Sequence, residues 1–240
     1  VRVDHSRYAD SRWYTGSGIY RDVWLIAAPE IRLAQWGTGW HATSLTNRQA
    51  TIAVDMEVQK HIATNDRLEL SATLYDAAGK QVAQRRTRVS DGKEGITKEN
   101  LTLKITNPHR WNLDDPYLYT LKTELLSNGQ RIDGCETKVG LRTLKFDPNK
   151  GFALNDNWMK VKGVCLHHDA GVLGAVVPPE VWERRLNNLK EIGVNAIRMS
   201  HNPQAPVVYD LCDRLGLLIM DEASDEWEFP KRKWVKGWNK

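Results

Sequence analysis

Three short clusters of ionisable residues carry the chemistry this sequence has to offer. His167-His168-Asp169 closes the run KVKGVCLHHDAG, Arg198 and His201-Asn202 close GVNAIRMSHNP, and Asp221-Glu222 sit in LGLLIMDEASDEW. Asp225, Glu226 and Glu228 follow closely on the last. Such residues serve acid/base transfer, metal ligation or two-pronged capture of a carboxylate by arginine. A zinc site needs three or four converging ligands. Adjacent histidines on extended chain point in different directions, and no other His/Cys pair stands at helical ligand spacing. No metal site is therefore expected. Asp221 and Glu222 alternate in the same way, so they are not expected to face each other as a catalytic pair. Carboxylates in such a place more often orient or ion-pair. The plain alternative for the middle cluster is an arginine salt bridge beside an Asn202-Pro203 turn.

Each cluster follows a short apolar run, and helical spacing fills the gaps between runs. Val181, Trp182, Arg185, Leu186, Leu189 and Ile192 recur at helical intervals after Pro178-Pro179 and before Gly193. Val207, Val208, Leu211, Cys212 and Leu215 do so between Pro206 and Gly216. Proline at a helix start and glycine just past its end are the expected punctuation. The intervening runs are short, apolar and bounded, as buried parallel strands are. Strands are predicted near 161–166, 194–199 and 217–221, with the chemistry at their C-terminal ends. Parallel α/β barrels build active sites there, and open doubly wound sheets do so at their switch point. Only three βα units are visible, and a barrel needs eight.

From about Ile31 to Phe146 the period is two instead. Ile52, Val54, Met56 and Val58 alternate with polar neighbours, as do Leu68, Leu70, Ala72 and Leu74, then Leu101, Leu103 and Ile105, then Tyr119, Leu121, Thr123 and Leu125. Ala78-Gly79, Asp91-Gly92 and Asn128-Gly129 punctuate them, the last a strong hairpin signal. Short alternating strands with regular turns predict an antiparallel sandwich. Nothing catalytic is concentrated in it. Before it, Ile19 to Ile26 alternates like a strand after glycines 16 and 18, in a piece too short for its own core.

Composition narrows the classes. The chain has 240 residues, 41% of them hydrophobic, and a formal net charge of +4 spread along its length. No stretch approaches the length of a membrane span, and no basic helix or RNA-binding aromatic signature accompanies the charge, so neither a membrane nor a nucleic acid is an expected partner. Cys135, Cys165 and Cys212 show no metal or redox spacing and read as buried thiols. The chain begins at Val1 without a signal peptide and ends in a basic, Trp-rich stretch. It reads as part of a longer protein, and the compartment stays open.

SRWYTGSGIYRDVWL, RWNLDDPYLYTL, KGVCLHHDAG, NAIRMSHNP and LLIMDEASDEW, in this order, resemble glycoside hydrolase family 2 over nearly the whole chain, and its β-galactosidase type most. The resemblance implies a multidomain β then α/β fold. Residues 1–29 would be the last strands of a jelly-roll sugar-binding domain, 30–146 an immunoglobulin-like β-sandwich, and 147–240 the first βα units of a (β/α)8 TIM barrel. It implies retaining hydrolysis of β-glycosides by two glutamates held about 5 Å apart. Both catalytic glutamates would lie beyond Lys240, so the chain alone is expected to be inactive.

By the same resemblance His167 lines the sugar subsite, His201 contacts the sugar, and Arg198 holds the nucleophile's carboxylate. An aspartate reaching the sugar from the first domain corresponds to Arg12 by spacing back from Gly18, and to Asp10 if two residues are inserted. The family's magnesium ligands fall near Glu226 and Glu228, where the second departs from the family's histidine. Glu226 is thus a candidate ligand, and the resemblance allows magnesium or sodium in the full-length parent, with no cofactor fixed for this chain. The implied partners are a β-galactoside-like carbohydrate and, for the parent, further copies of itself. Two other classes compete. One is a non-catalytic carbohydrate-binding sandwich presenting Trp36, Trp40 or Trp111, and the other a metal-dependent barrel hydrolase using His167 and His168.

Overall fold

The computed structural model describes residues 2–4 and 18–224. Where the sequence alternates with period two, the chain forms seven strands. They are β1 (Ile31–Leu45), β2 (Gln49–Lys60), β3 (Leu68–Tyr75), β4 (Gln81–Arg88), β5 (Gly95–Thr106), β6 (Tyr119–Ser127) and β7 (Gln130–Val139). They make two antiparallel sheets, β1-β2-β5 and β4-β3-β6-β7. Because side chains alternate across a strand, register decides the core. Ile52 lies opposite Leu103 and Val54 opposite Leu101 in one sheet, while Leu70 lies opposite Leu125 and Leu74 opposite Leu121 in the other. All of them enter one shared buried cluster. This is the immunoglobulin-like sandwich.

Asn128 and Gly129 join β6 to β7 with φ of 51° and 84°. That is the double left-handed turn that Asn-Gly supplies at least cost. The core stripe of β2 continues to Lys60, which is buried with its ammonium donating to Thr97 Oγ1 and 3.6 Å from the Asp91 carboxylate. A strand stripe thus ends in a buried cation met by one buried hydroxyl and one exposed carboxylate.

Beyond the sandwich, β8 (Leu144–Asp147), β9 (Gly151–Leu154) and β10 (Asn157–Met159) form a small sheet of order β10-β9-β8. Asn155 and Asp156, both at positive φ, turn β9 into β10. Asn155 accepts the Thr143 N–H at 3.0 Å and donates to the Trp111 carbonyl at 2.9 Å. Trp111 is 1% exposed and lies under the Arg142 guanidinium, 4.6 Å from its ring.

The last element group alternates strand and helix: β11 (Gly163–Leu166), α1 (Pro179–Glu191), β12 (Ala196–Met199), α2 (Pro206–Leu215) and β13 (Leu218–Met220). The three strands pair parallel in the order β11-β12-β13. Each is shorter than expected from its apolar run, because the first residues of each run connect rather than pair. Both helices start on proline. Gly193 just past α1 and Gly216 at the end of α2 are left-handed, a conformation that ends a helix cheaply only with glycine. Trp182 and Leu186 of α1 pack with Val208, Leu211 and Cys212 of α2 onto Ile197 and Met199, with Val164, Leu166 and Ile219 alongside. Ile192, expected in the α1 stripe, is exposed instead, because the helix ends before it. This is the start of a TIM barrel.

By internal contacts the chain divides into two units, Leu25–Pro148 with Ala153–Trp158, and Val1–Trp24 with Asn149–Phe152 and Met159–Lys240. The strand predicted at Ile19 to Ile26 is not formed. The segment is irregular, with Val23, Trp24, Leu25 and Ile26 exposed. Alternation prepares a face for burial, yet a strand also needs a neighbour for its backbone, and none pairs with this segment among the described residues.

Candidate active site

Alternation across the parallel sheet sorts side chains into two sets. Val164, Leu166, Ile197, Met199 and Ile219 face the helices. Cys165 and Arg198, paired in register, therefore stand on the opposite face. Past the strand ends come His167, Ser200-His201 and Asp221-Glu222, all at the C-terminal edge. The Ser200–His201 peptide bond is cis.

Arg198 is the centre of the group. Its Nη1 donates to Ser200 Oγ at 3.3 Å and to Cys165 Sγ at 3.4 Å. Its Nη2 pairs with Glu222 Oε1 and lies 3.2 Å from His201 Nδ1. Glu222 Oε2 lies 2.9 Å from the same His201 nitrogen. The His167 ring meets the His201 ring edge-on, 5.4 Å between centroids. Burial pushes the Glu222 carboxyl up, but hydrogen bonds from His201 and Arg198 outweigh it and hold the group below its ordinary value. Hydrogen bonds from Arg198 and then Ser200 draw the Cys165 thiol down. The result is an ionised carboxylate clamped by a cation and an imidazole beside an acidified thiol.

Asp221 takes a different job. Its Oδ1 accepts from Tyr209 Oη at 2.9 Å and from the Glu222 N–H at 3.0 Å, while Tyr209 Oη accepts the Gln204 N–H at 3.1 Å. Arg21 grips the same loop, donating to the Pro203 carbonyl at 2.9 Å and the Gln204 carbonyl at 3.3 Å. Asp221 thus pins the strand end to α2, and Glu222, one residue on, turns toward Arg198 and His201.

The adjacent histidines also diverge. His168 Nδ1 lies 3.1 Å from the Ala175 carbonyl and donates to it, with the ring 5.4 Å from Trp182 and 5.9 Å from Tyr20. Burial, with the Arg21 charge adding to it, pushes this imidazole down, so it is neutral packing. Among the described residues no group of three or more His, Cys, Asp or Glu side chains is arranged to hold a metal ion. Nor is any helix there long and apolar enough to cross a membrane. Glu226, Asp225 and Glu228 lie outside the described residues, as do Asp10 and Arg12.

Of the residues singled out from sequence, the structure gathers His167, Arg198, His201 and Glu222. It sets Asp221 beside them in a supporting place. Cys165, Ser200, Tyr209 and Arg21 were missed. Cys165 and Ser200 stand at even spacing from His167 and Arg198, so strand period was the available signal. Cys165 and Cys135, expected to be buried, are exposed, and only Cys212 is buried.

Sequence comparison matches the description "Glycosyl hydrolases family 2" over residues 38–142 and "Glycosyl hydrolases family 2, TIM barrel domain" over residues 148–229. The chain belongs to glycosyl hydrolase family 2. Among its family 2 relatives, beta-galactosidase BoGH2A of Bacteroides ovatus is 44% identical over 96% of this chain and 27% of its own length. A beta-glucuronidase of Bacteroides fragilis is 32% identical over 85% of this chain and 30% of its own. A solved family 2 structure from Bacteroides cellulosilyticus superposes with a TM-score of 0.87 at 34% identity, covering 93% of this chain and 29% of that one. The chain thus spans under a third of the length of these relatives.

Proposed function

We propose that the protein carrying this chain is a retaining glycoside hydrolase for terminal β-galactosides or related β-glycosides. Its acid/base and nucleophile glutamates would be supplied by sequence outside this chain. One observation carries the reading: Arg198, His201, Glu222 and the His167 ring gather at the C-terminal edge of three parallel strands. Barrel enzymes assemble their sites at that edge. The arrangement binds and orients. A guanidinium suits a carboxylate: Arg198 pairs with Glu222 here, its remaining N–H groups suit the nucleophile's carboxylate, and the imidazoles of His167 and His201 suit sugar hydroxyls. Retaining hydrolysis needs two carboxyl groups about 5 Å apart across the scissile bond. Glu222, committed to Arg198 and His201, serves neither role. The greater identity to a β-galactosidase than to a β-glucuronidase favours a galactoside. A sandwich that only binds sugar is less well supported, since Trp111 is buried, Trp40 packs on the core and Trp36 alone is exposed, at 93%.

The test is turnover of chromogenic β-galactoside, β-glucuronide and β-mannoside by the full-length protein, its His201→Ala variant and the 240-residue chain. The reading expects β-galactoside hydrolysis by the first, loss of about a hundredfold in the second, the scale of lost substrate positioning, and none in the third. Turnover by the chain alone would overturn the assignment of the glutamates. Wild-type activity in the variant would remove His201 from the site.

A further inference from the structure

We infer that Glu222 is a positioning residue that fixes the tautomer of His201, holding the proton on Nδ1 so that Nε2 is presented as an acceptor. The inference deepens the glycosidase reading and rests on it for the consequence at the sugar, though not for the tautomer itself.

Among the described residues His201 Nδ1 meets Glu222 Oε2 at 2.9 Å and Arg198 Nη2 at 3.2 Å. Arginine only donates, and an ionised carboxylate only accepts. A bare Nδ1 would accept from Arg198 but set its lone pair against a carboxylate oxygen. A protonated Nδ1 donates to that oxygen in a charge-assisted bond, the stronger type. Arg198 Nη2 already has an acceptor in Glu222 Oε1, whereas Oε2 has no other donor among the described residues. The shorter contact and the otherwise unfilled oxygen both place the proton on Nδ1.

Neutral imidazole carries one N–H, so Nε2 then holds the lone pair. A sugar hydroxyl meeting that atom would donate to it. Glu222 performs a second task with its other oxygen, holding one edge of the Arg198 fork while Cys165 and Ser200 hold the other. Asp221, bound by Tyr209 and by the Glu222 N–H, sets where the Glu222 backbone stands. Of two adjacent carboxylates, one anchors the chain and the other orients the site.

The experiment reads the ring nitrogens directly. The 240-residue chain is labelled with 15N-histidine, the His201 signals are assigned with His201→Ala, and long-range 1H–15N correlations are recorded at about pH 8.5. Wild type is expected to show a protonated Nδ1 and an unprotonated Nε2. In Glu222→Gln the amide oxygen can accept from Arg198, while its NH2 group donates into Nδ1 and moves the proton to Nε2. A protonated Nε2 in wild type overturns the inference, whether or not the variant folds. An unchanged tautomer in folded Glu222→Gln overturns it as well.

A second arm measures kcat and KM of full-length wild type and Glu222→Gln on the chromogenic β-glycoside found to be turned over. The expected loss in kcat/KM is about tenfold or more, the scale on which orienting partners act. Activity within twofold of wild type overturns the role at the sugar. If the full-length wild type turns over no β-glycoside, the glycosidase reading fails, while the tautomer arm still decides what Glu222 does to His201.

Discussion

Replacing Asn155 tests how the turn between β9 and β10 is held. Asn155 does two separable things. Its backbone sits at φ 51°, and its side chain bridges the Thr143 N–H and the Trp111 carbonyl at 3.0 and 2.9 Å. Each hydrogen bond contributes about 0.5–1.5 kcal/mol net, and more where the abandoned partner is shielded from water. A residue with a Cβ pays about 1–2 kcal/mol in the left-handed region, a cost that asparagine offsets by local hydrogen bonding and alanine does not. Asn155→Gly loses only the bonds, so about 1–3 kcal/mol is expected. Asn155→Ala loses the bonds and adds the backbone cost, giving about 2–5 kcal/mol by the same terms. The measurement is urea unfolding of the chain for wild type and both variants, followed by tryptophan fluorescence. The order wild type, Gly, Ala is the signature. An Ala variant as stable as the Gly variant would falsify the backbone part, and a Gly variant matching wild type would remove the bridge.

Other expectations follow from the helical layer and from the titrating groups. Trp182→Ala should lower stability by about 3–5 kcal/mol in urea unfolding followed by helix circular dichroism, because a fully buried indole is lost. Trp182→Phe should cost clearly less, since the buried indole N–H has no hydrogen-bond partner to forfeit among the described residues. Iodoacetamide at about pH 7 should label Cys165 ahead of Cys135 and leave Cys212 last, because only thiolate reacts. Arg198 draws the first thiol down, while burial pushes the third up to about 12. Arg198→Ala should remove the advantage of Cys165, as peptide mass mapping would show. Glu222 has a folded-state pKa below its unfolded one, so its contribution is present above the ordinary carboxylate range and lost as pH falls through the depressed value. Glu222→Gln should therefore flatten the acid side of the stability profile; an unaltered slope would mean that the clamp on Glu222 is not linked to folding.

What the sequence determined by itself was whatever local periodicity and turn chemistry encode. The stripes of β2, β3, β5 and β6 were legible because a half-buried strand must alternate. The Asn128-Gly129 hairpin was legible because that dipeptide tolerates two positive φ values. Pro179, Gly193, Pro206 and Gly216 marked both helices because each residue suits one end of a helix only. The clusters at the strand ends followed from the same reading, and so did the prospect that His167, Arg198 and His201 would meet.

Tertiary structure decided the rest. The Asn155-Asp156 turn carried no signal as strong as Asn-Gly, and its stability comes from Thr143 and Trp111, distant in sequence. Ile19 to Ile26 alternates like a strand, yet hydrogen bonding to a neighbour, absent from a local pattern, decides whether one forms. Asp221 and Glu222 were equivalent as letters. Tyr209 on α2 claimed the first, leaving the second to Arg198 and His201. Which carboxylate enters a site depends on which donors the fold brings within about 3 Å, and only packing sets that distance.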